Sequence, residues 1–516
     1  MTLYESILKY ENEGLNALYF ENKSITYKQL LINIRKMITY LKGKGIKKGD
    51  IVTVVLPNIP STVYLFYALD ALGVIQNIVH PLTPAPQIIK TMEEVGSKNA
   101  IVLALEYQNY KELFDSSNYN FFFVNPMHDK SFLMRHAFYL KFKKVKENNH
   151  LFLLDKFHSC KEETNIISRD IEEPSIYLHS GGTTGTPKVI EISDRAINNL
   201  AMKVDGIVNQ SIKGKSMLAV LPTFHGFGLG MGIHAPLANG ASSSLMIKFN
   251  ADKVIEWINQ NKVNLIIGVP QLYQKLMKNP NFSSSKLSNL EFSFIGGDNV
   301  PPSLIKQFNE LMKANNSSCM LLEGYGLTET VTVCNVNTKL DFKDGSVGKP
   351  LRGIEIQIRE NDLNLLPNNE IGEVYISGNT TMNGYLNDIE TTNKTLINLD
   401  NKLWVKTGDL GYLDNDGFLF LKGRMKRMFK ISGINVYPSE VEKIATDLVD
   451  YVKDASLEYF DDGKPHMVLF LIKNKQSNKN DNEIIELVTN ELNQKLLKYS
   501  LPKKIFILDE FPQTRV

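Results

Sequence analysis

The chain is poor in cysteine: three in 516 residues, Cys160, Cys319 and Cys334, an odd number set far apart. They offer neither a disulfide framework nor a paired metal-ligand spacing, and the usage fits a reducing, intracellular compartment. An excess of either charge is missing too. Lys and Arg number 58 against 56 Asp and Glu, a formal net charge of +2, so the strongly basic surface of a duplex nucleic-acid binder is not expected. Apolar residues nowhere run on for the roughly 18 to 20 positions that span a bilayer, so no transmembrane helix is expected. Met1 to Leu15 carries Glu5, Glu11 and Glu13 and no apolar stretch, which argues against a secretory signal. What is there is an ordinary globular composition, 43% hydrophobic and 22% charged, in a chain long enough for more than one core. A cytoplasmic protein is expected.

Short apolar runs recur along the first two thirds: Ile51 to Leu56, Val74 to Val79, Ala100 to Ala104, Ile176 to His179, Ser216 to Leu221, Asn264 to Val269 and Phe292 to Ile295. Helical stretches lie between most of them, such as Thr62 to Leu72, which ends near Gly73. Strands alternating with helices predict βαβ units and largely parallel sheets. After about Asp341 the texture changes. Glu355 to Ile358, Gly372 to Ile376 and Phe418 to Leu421 are short strands parted by Asn, Asp and Gly, which predicts a smaller antiparallel region. Beyond Met425, helical patterns at Ser439 to Leu448 and Asn482 to Leu497 flank a strand-like Met467 to Ile472, a small α+β domain. Ser131 to Lys146 is apolar and then basic; an ordinary amphipathic surface helix is the favoured reading, and a peripheral membrane contact the competing one.

The strongest local signal is Ser180-Gly181-Gly182-Thr183-Thr184-Gly185-Thr186-Pro187-Lys188, directly after a predicted strand. Its glycines let backbone N–H groups converge on an anion, the threonines add donors, and Lys188 adds a positive charge. That is a phosphate-binding chemistry. It is not a Walker A loop, because no Gly-Lys-Ser/Thr closes it, and the Gly214-Lys215-Ser216 triplet has Asn209 where the upstream glycine should be.

Ser180 to Lys188 resembles the signature phosphate loop of the adenylate-forming superfamily: acyl- and aryl-CoA ligases, peptide-synthetase adenylation domains and firefly luciferase. Further stretches match that family in order along essentially the whole chain. They are Leu221 to Gly228, Phe294-Ile295-Gly296-Gly297-Asp298, Glu323-Gly324-Tyr325-Gly326-Leu327-Thr328-Glu329-Thr330, Gly345 to Pro350, Gly372-Glu373-Val374, Lys406 to Leu410, Gly423-Arg424 and Pro438 to Glu442. The resemblance implies an α/β fold. A large N-terminal domain, residues 1–424, would combine mixed parallel sheets and flanking helices with a small β-barrel-like subdomain; residues 425–516 would form a small mobile α+β domain.

It also implies roles. Ser180, Gly182, Thr183, Thr184, Gly185 and Lys188 would hold the phosphates of ATP. Tyr325 would stack on adenine, with Glu323, Gly324 and the Gly297-Asp298 turn at its edge. Asp409 would accept from the ribose hydroxyls, an acceptor-only group facing two donors, and Arg424 would contact the ribose. Thr328 would donate to the α-phosphate and Glu329 would hold Mg²⁺, a hard cation suited to oxygen ligands. Attack of a carboxylate on the α-phosphate would yield an acyl-adenylate and pyrophosphate, and a thiol would then displace AMP. The hinge for the change between half-reactions would be Lys426, and Lys430 and Gly433 would face the coenzyme A path in the thiolation arrangement. For Arg427 a solvated charged face is expected.

The family's adenylation lysine lies in a Pro-x-Thr-x-x-Gly-Lys pattern, and this sequence stops at Pro512-Gln513-Thr514-Arg515-Val516. The expectation is a natural chain that continues to supply it. Phe224, His225, Gly226, Gly296 and Gly324 match the acyl pocket; the aromatic and imidazole wall suits an uncharged acyl or aryl acid, and the glycines would leave room for it. His225 is open between a gate and a packed neutral histidine. Coenzyme A is the expected acceptor. An acyl-AMP ligase that loads a carrier protein and an inactive nucleotide- or acyl-binding relative are the alternatives, and a homodimer is left open.

Overall fold

The computed structural model describes the chain except residues 126–144, 146, 166, 181–187, 361–362, 432–433, 462–464, 497–499 and 512–516. The basic segment, the interior of the phosphate loop, Gly433 and the chain's end therefore lie outside the described residues, as does the side chain of Lys430. The rest packs as two compact units. Unit one comprises Met1–Ile267, Gly326–Val333 and Asn379–Lys394; unit two comprises Gly268–Tyr325, Cys334–Gly378 and Thr395–Val516.

Unit one holds an eight-stranded sheet. Its order is Gly384–Tyr385, Val189–Ser193, Pro174–His179, Ile75–Ile78, Ile51–Val55, Asn99–Leu103, Asn120–Val124 and Leu151–Leu153. From Pro174–His179 to Leu151–Leu153 every pair is parallel; the other two strands add antiparallel at one edge. The helix Pro60–Ala71 is buried at every position, which explains why its sequence is apolar all round. Tyr27–Gly43, a helix the sequence reading does not place, starts at a reciprocal cap. Gln29 N donates to Thr26 Oγ1 at 3.3 Å and Thr26 N to Gln29 Oε1 at 2.9 Å. A second parallel group pairs Ser216–Ala219 with Ser242–Leu245, and Ser242–Leu245 with Asn16–Phe20.

In unit two, Phe292–Ile295 runs parallel to Leu321–Gly326, with Ile295 opposite Glu323. The predicted antiparallel region is a five-stranded sheet: Ile354–Arg359, Gly372–Gly378, Lys402–Leu413 and Leu396–Leu399 in order, with Leu419–Arg424 also on Lys402–Leu413. Residues from Val436 to Leu492 build a hydrophobic core of their own. Val441 and Ala445 of the helix Pro438–Thr446 and Ile484, Val488 and Leu492 of the helix Asp481–Lys495 join Leu457, Met467, Leu469 and Leu471 from paired strands. Among the described residues no helix is long and apolar enough to cross a membrane, and the three cysteines are free.

Candidate active site

In unit one, the strand Pro174–His179 leads into the phosphate loop and Val189–Ser193 leads out beside it, His179 opposite Val189. Ser180 and Lys188 close the loop's neck: Ser180 N donates to Lys188 O at 2.9 Å, and Lys188 N to Ser180 Oγ at 3.1 Å. Gly182, Thr183, Thr184 and Gly185 lie outside the described residues. His179 does not add charge here. Its Nε2 is 2.7 Å from Asn77 Oδ1, and burial pulls its pKa down to about 4, so Lys188 is the cation at this neck at neutral pH.

Lys188 Nζ lies 4.6 Å from the centroid of the Tyr385 ring, within cation–π range. Tyr385 Oη in turn donates to Glu329 Oε1 at 2.8 Å, and Met382 N donates to Glu329 O at 2.8 Å. Glu329 sits in a single 3₁₀ turn, Thr328–Thr330, which ends on Val331 at φ 66° and ψ −57°. A β-branched residue rarely adopts that conformation, so this turn stores strain beside the residues assigned to phosphate chemistry. Tight backbone approach holds it. A Cβ on Gly226 would lie 1.6 Å from Val331 O, and one on Gly326 would lie 1.6 Å from Thr332 O. Gly226 is glycine because a carbonyl fills that space, a different reason from the open room expected of it.

The residues fit magnesium of one kind. Among the described residues no cluster of three or more His, Cys, Asp or Glu could cage a metal. Glu329 is a single hard carboxylate with Oε1 bound by Tyr385, and among the described residues its Oε2 accepts no hydrogen bond. Mg²⁺ shared between one carboxylate and substrate phosphates suits that donor set.

Phe224 and His225 lie together in unit one, ring centroids 4.2 Å apart, and the His80 ring also packs against Phe224 at 4.5 Å. Leu82 N donates to His80 Nδ1 at 3.0 Å, which fixes that nitrogen as an acceptor. Burial lowers the pKa of both imidazoles, and the neighbouring His80 lowers that of His225 further. The wall is therefore aromatic and uncharged at neutral pH. Immediately after it comes a π-helix, Phe227–His234, a form that tends to mark functional sites.

In unit two, Asp409 is the hub. Tyr325 Oη donates to its Oδ2 at 2.5 Å, and Arg424 Nε lies 2.9 Å from its Oδ1. Asp409 N donates to Thr407 Oγ1 at 3.0 Å, and Arg424 Nη1 to Thr407 O at 3.2 Å. Burial, and then the Asp409 charge, pushes the Tyr325 phenol well above its usual pKa, so it stays a donor. A cleft of about 900 Å³ opens here, lined by Asp298, Glu323, Asp409, Arg424, Lys443 and Asp454 among others. Glu323 is 7% exposed, and burial raises its pKa to about 7 against the opposing pull of Lys443. Gly296 again permits backbone approach: a Cβ there would lie 2.6 Å from Gly324 O. Gly297 turns the chain at φ 80° into Asp298, which is exposed.

Lys426 is exposed in the turn Met425–Arg427. Arg427 is not a purely solvated charge. Its Nη2 and Nη1 donate to Glu442 Oε1 and Oε2 at 2.6 and 3.2 Å, and Leu457 N also donates to Oε1 at 2.8 Å. A buried carboxylate needs such partners, and the bidentate guanidinium supplies them.

The model of the AMP-binding enzyme family matches residues 9–386. The chain belongs to that family. Its sequence is 27% identical over 507 residues to 4-coumarate–CoA ligase 2 of Nicotiana tabacum, spanning 96% of this chain and 88% of that one. Among solved structures, the anthranilate CoA ligase AuaEII with anthranoyl-AMP superposes with a TM-score of 0.85 at 21% identity, covering 100% of this chain and 94% of that one. A benzoate CoA ligase from Burkholderia xenovorans LB400 gives 0.84 at 19%, covering 100% and 97%. At these identities the structures speak for the fold alone: mixed α/β, parallel and antiparallel sheets with flanking helices.

Two residues of this AMP-binding enzyme carry no signal in the sequence, Tyr385 and His80; Glu442 lies in the matched stretch Pro438 to Glu442, but its pairing with Arg427 does not show there. The Gly384-Tyr385 pair sits in a turn-rich stretch with no charge of its own, and only its strand pairing brings it beside Lys188. For His80, the proline after it favours an extended conformation but gives no sign of the distant Phe224.

Proposed function

We propose that this chain is an AMP-forming acid–thiol ligase that activates an uncharged aryl or acyl acid with ATP and transfers it to coenzyme A. The observation that carries this reading is the Tyr325–Asp409–Arg424 cluster, whose carboxylate and guanidinium line a cleft with Glu323, an acceptor and a cation beside a ring. Membership of the AMP-binding family and relatives named as 4-coumarate–CoA ligases support it.

In the first half-reaction a substrate carboxylate oxygen attacks the α-phosphorus. The new O–P bond forms as the bond to the bridging oxygen breaks, and pyrophosphate leaves. We assign Asp409 and Arg424 to the ribose, Tyr325 and Glu323 to adenine with Gly324 and the Gly297-Asp298 turn at its edge, and Thr328 and Lys188 to the charge that grows on the phosphates. Glu329 would hold Mg²⁺, which would supply further neutralisation of that charge. In the second half-reaction a thiol sulfur attacks the acyl carbon, its proton passes to solvent, and the C–O bond to AMP breaks. Lys430 and Gly433 are assigned to the thiol path, and Lys426 to the hinge of a mobile domain over 425–516. The neutral wall of His80, Phe224 and His225 offers no countercharge to an ammonium, which favours aryl and acyl acids over amino acids. Free cysteines fit work in the cytoplasm.

The test is pyrophosphate release against benzoates, hydroxycinnamates, fatty acids and amino acids, with and without coenzyme A, and mass spectrometry of the product. The expected outcome is release with an aryl or acyl acid and a thioester only when coenzyme A is present. Silence with every acid would refute the ligase reading; adenylate without thioester would point to a carrier-protein acceptor.

A further inference from the structure

We infer that Tyr385 is a positioning residue for the phosphate chemistry, aiming the Glu329 carboxylate at the metal while seating Lys188 on its ring. The inference rests on Glu329 as the Mg²⁺ ligand and goes beyond it.

Two independent attachments place this tyrosine. The strand Gly384–Tyr385 pairs antiparallel with Val189–Ser193, Tyr385 opposite Ile190, and Leu386 N donates to Val189 O at 2.9 Å. That puts its ring next to the residue just before Val189–Ser193, Lys188, whose Nζ is 4.6 Å from the ring centroid. Three residues upstream, Met382 N donates to Glu329 O at 2.8 Å and ties the same segment to the turn Thr328–Thr330. Tyr385 Oη then reaches Glu329 Oε1 at 2.8 Å. The far side is also fixed: Tyr385 N donates to Thr392 Oγ1 at 2.9 Å, and the residue is 7% exposed.

A lone carboxylate on a strained turn would sample several rotamers. The phenol donor occupies Oε1 and so holds the carboxylate plane in one orientation, with Oε2 presented for coordination. A bound ligand group of this kind needs such an outer partner, and losing one costs about tenfold or more in metal affinity. The ring face does a second task. It keeps a long, flexible ammonium near the loop neck before substrate arrives, which reduces the entropy lost when Lys188 engages phosphate.

The experiment titrates free Mg²⁺ against the enzyme and β,γ-methylene ATP in a calorimeter, for wild type, Glu329→Gln, Tyr385→Phe and Tyr385→Leu. Tyr385→Phe keeps the ring and loses only the hydroxyl. It should raise the half-saturating Mg²⁺ concentration by about tenfold while affinity for the metal-free analogue stays at the wild-type value. Tyr385→Leu should weaken the metal-free analogue as well, because Lys188 loses its platform. If Glu329→Gln shifts the Mg²⁺ titration and Tyr385→Phe does not, the positioning role is refuted and the ligand assignment stands. If Glu329→Gln leaves the titration unchanged, the ligand assignment fails and takes this inference with it. Should Tyr385→Leu not fold, Tyr385→Phe decides alone.

Discussion

Replacing Glu323 by Gln tests the electrostatics of the nucleotide cleft. Burial holds this carboxyl at a pKa of about 7 where an exposed one would titrate near 4.5, with Lys443 acting in the opposite direction. The sign follows from proton counting. Between those two values the folded protein keeps a proton that the unfolded chain has released, so stability falls as pH rises through the window. The contribution is complete below 4.5 and gone above about 7. At roughly 1.36 kcal/mol per unit, the span corresponds to about 3 kcal/mol, an upper figure because water and Lys443 relax around the charge. Glutamine removes the titration and keeps the shape. Urea unfolding of both proteins from pH 4.5 to 8 should therefore show the glutamine variant gaining on wild type by up to about 3 kcal/mol across the range. Parallel curves would refute the argument. With Glu323 assigned to adenine, nucleotide binding would have the opposite slope: an amine donor favours the ionised carboxylate, so AMP should bind wild type more tightly as pH rises from 6 to 8 and the variant equally at both. A flat wild-type profile would remove Glu323 from adenine recognition while leaving the stability argument intact.

Asp409→Asn should weaken ATP binding by tenfold or more in calorimetry, because it removes the charge that fixes Arg424 at 2.9 Å and receives the Tyr325 hydroxyl at 2.5 Å. Unchanged affinity would take Asp409 out of the nucleoside site. Gly226→Ala should lower the melting temperature sharply, by a loss of about 3 kcal/mol or more, since the added carbon would lie 1.6 Å from Val331 O. Near-wild-type melting would mean that the turn carrying Glu329 yields easily.

The elements that read most clearly in the sequence are those whose pattern and burial agree. Expected runs at Ile51 to Leu56, Phe292 to Ile295 and Met467 to Ile472 fall within or coincide with the strands Ile51–Val55, Phe292–Ile295 and Pro465–Lys473 to within a few residues. Each is a short apolar run in a sheet covered on at least one face, where period and environment point the same way. The helix Tyr27–Gly43 is hard to see in the sequence because its signal is split. Its cap, Thr26 with Gln29, is polar and local, while its buried stripe of Leu30, Leu31, Ile34, Met37, Ile38 and Leu41 is interrupted by two basic residues, Arg35 and Lys36. The π-helix Phe227–His234 has no periodic signature at all, because its sequence is apolar and glycine-rich on every side.

The site divides along a different line. Residues assigned through a motif, such as Asp409, Tyr325 and Glu329, can be named from order along the chain, and part of their setting is local: Thr407 beside Asp409, and the Thr328–Thr330 turn around Glu329. Residues that act by orienting others cannot. Tyr385 lies 56 positions from Glu329 and reaches it only because a two-residue strand closes the edge of a sheet. Arg427 invited the reading of a solvated charge because a run of basic residues usually is one, and its partner Glu442 is 15 positions away on a separate helix. Glycine is ambiguous in the sequence for a related reason. The sequence reports that a side chain is missing at Gly226, but only the fold reports that Val331 O has taken the space. A small residue in an active-site motif is thus as much a sign of two backbones in contact as of an open pocket. Deciding between them requires knowing what lies opposite, which here is a carbonyl on a strained turn.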